Sequence, residues 1–183
     1  AEFEEIADYC DFKGIEWFAS SWDKPSVDFL EQFDLVAHKV PSALLTDSAL
    51  LKKLKEQGKP IILSTGMSEM EQIQAAVDIL DMENLVIAHC TSTYPCPPNQ
   101  LNLRMIETLR NMYPCPIGYS GHEVGLPTTV AAVTLGASLV ERHITLDRAM
   151  WGSDQAASVE PGGVRKLVKY IRVVEEALGD GVK

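Results

Sequence analysis

Residues 85–92 read Leu-Val-Ile-Ala-His-Cys-Thr-Ser, LVIAHCTS, an apolar run that breaks off into small polar groups. Apolar side chains at successive positions, rather than at alternate ones, mark a strand covered on both faces, as in a parallel sheet flanked by helices. Five more runs share this grammar: Ile15–Ser21 (IEWFASS), Leu35–Ser42 (LVAHKVPS), Pro60–Thr65 (PIILST), Pro116–Ser120 (PIGYS) and Ser138–Ile144 (SLVERHI). Between and after them lie helical patterns around residues 25–33, 46–57, 68–81, 100–112, 126–136 and 161–178, with a further one at 1–13. Leu50, Leu51, Leu54 and Ile73, Ala76, Val77, Leu80 form the stripes of helices that cover a sheet.

Strands alternating with helices define an α/β fold, either a doubly wound open sheet or a (β/α)8 barrel. The chain has no GxGxxG and no GxxxxGK[ST], which removes support for nucleotide-binding open sheets. Polar residues instead close every run, where barrel enzymes gather their catalytic groups. The reading is therefore a (β/α)8 TIM-barrel type with six βα units, two short of eight.

The bulk numbers bound the function. The chain has 183 residues with 46% hydrophobic and 23% charged, enough for one domain with a substantial core. A formal net charge of -10 argues against nucleic-acid binding through a broad basic face. No apolar run approaches the ~20 residues that span a bilayer, so no membrane role is expected. Cys10, Cys90, Cys96 and Cys115 form no CxxC pair and read as reduced thiols of a cytoplasmic protein.

The chemistry concentrates at the run ends. In Leu139-Val140-Glu141-Arg142-His143-Ile144, alternation puts Glu141 and His143 on one face and Arg142 on the other. An acid and an imidazole aimed together can bind metal or move protons, whereas a plain polar strand end with Arg142 in a surface ion pair is the bland alternative. His122, in Gly118-Tyr119-Ser120-Gly121-His122-Glu123, converges with His143 if the two strands are neighbours, and two imidazoles suit Mn²⁺, Co²⁺ or Zn²⁺. Lys39 sits in an apolar run, costly for an ammonium without an anionic partner. Hydroxyls of Ser20, Ser21, Ser42, Ser64 and Thr65 close the neighbouring runs, although Ser42, Thr65 and above all Ser68 also read as helix caps. The loop Cys90–Pro98, stiffened by Pro95, Pro97 and Pro98, presents Ser92 and Tyr94. Asp154 in Trp151-Gly152-Ser153-Asp154 is a candidate for sugar hydroxyls or an Asx turn. His38 and His89 read as structural.

These segments together resemble the N-acetylneuraminate (sialic acid) synthase family across practically the whole chain. The blocks that carry the resemblance are Lys59–Met67 (KPIILSTGM), His89–Pro95 (HCTSTYP), Gly118–His122 (GYSGH) and Glu141–Thr145 (ERHIT). The resemblance implies a barrel enzyme, a transferase that condenses phosphoenolpyruvate with N-acetylmannosamine or a related amino-sugar aldehyde, with C–O cleavage, to a nine-carbon 2-keto acid and phosphate. It makes His122 and His143 the metal ligands, with Mn²⁺ foremost and Mg²⁺ or Co²⁺ as alternatives. Glu141 becomes the proton-transfer residue and, with Lys39, the catalytic pair. Lys39, Ser42, Ser64 and Ser20 or Ser21 would hold the phosphate, Ser92 and Ser120 the carboxylate, and Tyr94 and Asp154 the sugar.

The chain departs from the family's usual pattern at Pro41, Ser92 and Gly121, in the turn Ser20–Asp23 and in the loop Trp151–Asp154. Those departures leave the sugar open among N-acetylmannosamine, legionaminic and pseudaminic precursors. Aligned on the family, residues 1–183 form one partial barrel domain holding strands three to eight. The first two strands and the C-terminal antifreeze-like domain fall outside it, so the fragment alone is expected to be inactive. Full-length relatives of this kind are expected to be homodimers. The competing readings are another metal-dependent or Schiff-base barrel aldolase, using Lys39 covalently, and a non-catalytic truncated barrel serving as a binding or oligomerisation module.

Overall fold

The computed structural model describes residues 2–182. Seven α-helices and five β-strands are present among them: α1 (Glu2–Lys13), α2 (Lys24–Leu30), β1 (His38–Val40), α3 (Ser48–Lys55), β2 (Ile61–Ser64), α4 (Met70–Leu80), β3 (Leu85–Cys90), α5 (Met105–Met112), β4 (Ile117–Gly121), α6 (Pro127–Thr134), β5 (Leu139–Arg142) and α7 (Pro161–Leu178). The strands follow in chain order, β1-β2-β3-β4-β5. The α/β class and parallel pairing expected from the apolar runs are present; the helix expected at 1–13 begins at Ala1, which lies outside the described residues.

The expected sixth strand is not. Ile15–Ser21 contributes only an isolated bridge, Ser20 to Lys39. Ile15 and Phe18 are 63% and 40% exposed, so the run lacks the two-sided cover that its apolar character implied. Trp17 is drawn instead into an aromatic cluster with Phe3 and Phe33, at ring separations of 6.2 and 5.4 Å. Among the described residues five strands, not six, are formed. The last run also stops early: past Arg142 the backbone pairs with Val159, whose N–H donates to the His143 carbonyl at 2.8 Å.

The chain divides into two compact units, Ala1–Leu63 with Ser68–Leu85, and Ser64–Met67 with Val86–Lys183. In the first, β1 and β2 pair in parallel with Lys39 opposite Ile62. Its core is the buried face of α3 (Leu50, Leu51, Leu54) and of α4 (Ile73, Ala76, Val77, Leu80). Asp47 starts α3 by accepting from the Ala49 and Leu50 amides at 3.1 and 3.0 Å, and Lys52, Lys53 and Lys55 sit at its negative end. Glu69, not Ser68, caps α4, in a reciprocal box with Gln72. The cap expected of Ser68 is thus one residue out. Ser42 and Thr65 cap no α-helix either; Ser42 opens a short 3-10 turn, and Thr65 Oγ1 donates to the Ala88 carbonyl at 3.1 Å.

In the second unit, β3, β4 and β5 form a parallel ladder with Cys90 opposite Ser120 and Ser120 opposite Glu141. Pro127 and Pro161 open α6 and α7, where a missing amide costs nothing. Ile87, Ile106, Leu109, Ile117 and Tyr119 fill this core. No helix among the described residues is long and apolar enough to cross a membrane.

Candidate functional site

The ladder register decides what meets at the strand ends of the second unit. Side chains alternate along β4 and β5, and Ser120 lies opposite Glu141 while Gly121 lies opposite Arg142. One face therefore carries Ser120, His122, Glu141 and His143, and the other carries Tyr119, Gly121 and Arg142. The division expected between Glu141 with His143 and Arg142 is present.

On the first face, Ser120 Oγ donates to Glu141 Oε1 at 2.7 Å. The His122 and His143 rings lie 5.2 Å apart. His122 Nδ1 is 2.9 Å from the Thr91 carbonyl, which can only accept, so Nδ1 bears the hydrogen and Nε2 keeps its lone pair. His143 Nδ1 lies 3.5 Å from Asp154 Oδ2. Tyr94 packs on His122 at 3.9 Å between ring centres and meets His143 edge-on at 5.7 Å. The proline-rich loop thus delivers Tyr94 to the imidazole pair. Ser92 Oγ lies 4.0 Å from the Cys90 thiol beside it.

The electrostatics divide the two imidazoles. Burial opposes charge on His122, but its hydrogen bonds to Cys90 and Thr91 and the nearby Glu141 outweigh it and hold its pKa above the usual value. Burial, and then His122 itself, hold His143 below, against the pull of Asp154 and Glu141. Burial, with Cys90, Asp154 and Glu141 as negative neighbours, pushes the Tyr94 phenol up to about 12. His143, held towards its neutral form, keeps a lone pair for a cation, whereas a cation at His122 Nε2 has to displace the proton that its neighbours favour there. Among the described residues no group of three or more His, Cys, Asp or Glu side chains is arranged to hold a metal ion. What converges there is a pair of imidazoles, His122 and His143.

Of the expected anion residues, Lys39, Ser20, Ser21 and Ser42 lie in the first unit. Lys39 is buried, and its ammonium donates to the Val40 carbonyl at 3.1 Å. Ser20 is the residue bridged to Lys39, and the buried Ser21 hydroxyl has no hydrogen-bond partner. Ser42 begins the turn after β1, within three residues of Lys39. Ser64, the last residue of β2, is buried and falls in the second unit.

The sequence reading missed Glu123. Its carboxylate is 1% exposed and accepts from Tyr119, Thr128, Thr129 and Arg142. Arg142, for which a surface ion pair was the bland alternative, is 5% exposed and pairs with it at 3.3 Å. An Arg on the face of β5 opposite Glu141 requires a buried anion there, and the only signal was an acid two residues beyond Gly121. His89 is structural, as expected: Nε2–H donates to the Leu101 carbonyl at 2.8 Å.

A family model described as the NeuB family matches residues 1–183. Human N-acetylneuraminate-9-phosphate synthase is 40% identical over 185 residues, covering 100% of this chain and 52% of its own. The N,N'-diacetyllegionaminic acid synthase of Campylobacter jejuni is 38% identical over 174 residues, covering 92% of this chain and 52% of its own. The crystal structure of N-acetylneuraminic acid synthetase from Leptospira borgpetersenii serovar Hardjo-bovis, in complex with citrate, superposes with a TM-score of 0.95 at 33% identity, over 99% of this chain and 64% of that one. The chain spans about half the length of the curated relatives it matches.

Proposed function

From the premise that this chain belongs to the NeuB family, we propose that the protein it comes from condenses phosphoenolpyruvate with an amino-sugar aldehyde, releasing phosphate and a nine-carbon 2-keto acid. The observation that carries the reading is the convergence of His122, His143, Glu141 and Ser120 on one face of two adjoining strand ends.

His122 and His143 would hold a divalent cation, Mn²⁺ foremost, and when bound it supplies Lewis-acid polarisation of the aldehyde oxygen. Tyr94 and Asp154 orient the sugar beside the imidazoles. Ser92 and Ser120 take the carboxylate of phosphoenolpyruvate, and Lys39 with Ser20, Ser21 and Ser42 takes phosphate, as does Ser64. C3 of phosphoenolpyruvate attacks the aldehyde carbon, water adds at C2, and the tetrahedral intermediate expels phosphate with C–O cleavage. Glu141, oriented by the Ser120 hydroxyl, carries the proton of the adding water.

The test is phosphate release by the whole protein from phosphoenolpyruvate with N-acetylmannosamine, and with the legionaminic and pseudaminic precursors, in Mn²⁺. Mass spectrometry should find the 2-keto acid, with bridging oxygen retained in phosphate. No product with any of the three sugars overturns the reading. Borohydride trapping on Lys39 would replace it with a Schiff-base aldolase. Residues 1–183 alone are expected to give little or no turnover.

A further inference from the structure

Behind the candidate site, on the opposite face of β4 and β5, one buried ion pair holds several loops. The Arg142 guanidinium donates through Nη1 to Glu123 Oε1, to Thr129 Oγ1 at 2.7 Å and to the Gly125 carbonyl at 3.0 Å. Through Nη2 it donates to the Glu123 carbonyl at 2.6 Å and to the Ala157 carbonyl at 3.3 Å. The Glu123 carboxylate is held in turn by Tyr119 Oη at 2.9 Å, Thr128 Oγ1 at 3.0 Å and Thr129 Oγ1 at 2.6 Å. The pair thus joins three pieces of chain: the segment just past His122, the first turn of α6, and the segment just past Asp154.

A pair that served only to fill the core would be replaceable by apolar side chains, because desolvating two charges offsets most of their attraction. Here the planar fork of the guanidinium satisfies three backbone carbonyls in two separate loops at once, which no apolar or point-charge side chain does. Room for it is made by Gly121: a Cβ there would lie 2.5 Å from Glu123 Oε2 and 2.6 Å from the Tyr119 ring. The same residues flank the groups on the working face. His122 is bonded in sequence to Glu123, and Glu141 and His143 flank Arg142.

We infer that Glu123 and Arg142 are positioning residues, and that their buried pair sets His122 against His143 and Asp154 by clamping the 122–125 loop to the 154–158 segment. The inference rests on the proposed function only for what the clamped side chains do; the clamp itself can be tested without substrate or metal.

The experiment uses the whole protein with Arg142→Lys, which keeps the charge and loses the fork, and Glu123→Gln, which keeps the shape and loses the charge. Three readings are taken: the melting temperature, the imidazole ¹⁵N shifts of His122 and His143 without metal, and the affinity for Mn²⁺ by electron paramagnetic resonance. Both variants should stay folded. Their His122 and His143 shifts should move, and Mn²⁺ affinity should fall on the order of tenfold, the scale of losing a group that orients a ligand. Unchanged shifts in both folded variants overturn the inference. So does loss of the fold in Glu123→Gln, which would make the pair a structural requirement. If the wild-type protein takes no Mn²⁺, the metal reading fails, and the shifts alone decide the clamp.

Discussion

Glu141 accepts the Ser120 hydroxyl at 2.7 Å, and this contact makes the carboxylate's task measurable. Glu141→Gln keeps the shape and removes the proposed base. Phosphate release by the whole protein should drop by roughly 10²–10⁴-fold, the range of a lost acid–base group, with phosphoenolpyruvate affinity little changed. Equal losses in kcat and in binding would show that Glu141 binds rather than transfers protons. His89 makes a second, independent case. Burial holds its pKa below the usual imidazole value, partly offset by the hydrogen bond to Leu101. A depressed pKa contributes stability above the unfolded value of roughly 6.5, and that contribution is lost as pH falls through the folded one. The melting-temperature gap between the wild type and His89→Gln should therefore narrow from pH 7.5 to 5. A constant gap would mean that His89 does not titrate against folding.

At the level of elements, the end of β4 tolerates little. Gly121→Ala would drive a methyl into Glu123 and Tyr119, both fully buried, and should destabilise by about 1–3 kcal/mol in chemical denaturation. A loss below a few tenths would show that the Glu123 side chain relaxes freely. Gly58, by contrast, has open space around it and only a positive φ of 71° to lose. The strands β2, β3 and β4 were legible because their apolar runs are covered on both faces. Ile15–Ser21 misled because an apolar run says only that side chains prefer burial; here Trp17 found an aromatic cluster rather than a sheet. Helix positions followed from their stripes, but the cap fell to Glu69 with Gln72 rather than to Ser68; Glu71 stands three residues after Ser68, so the capping-box spacing alone did not separate the two. The convergence of His122 with His143 was legible from strand order alone. Glu123 was not, because an acid after a glycine and a histidine carries no periodic signal, and its partner lies 19 residues away.

At the scale of the whole molecule, a cation bound only by the folded form stabilises it by mass action. The proposed ligands therefore give a global readout. Mn²⁺ at about 100 times its dissociation constant should add about 2.7 kcal/mol, seen as a rise in melting temperature. His143→Ala should abolish that rise without lowering the metal-free melting temperature much, because His143 is half-exposed. An undiminished rise in the variant would place the cation elsewhere. The two compact units provide different optical reporters of such events. Trp17 lies within the aromatic cluster of the first unit, at 5.4 Å from the Phe33 ring, and its emission follows the packing there. Trp151, in the second, is 99% exposed and three residues before Asp154. A sugar that draws the 151–154 loop inward would strip water from that indole, so substrate arrival should register as a blue shift in the protein's own fluorescence, with no label attached.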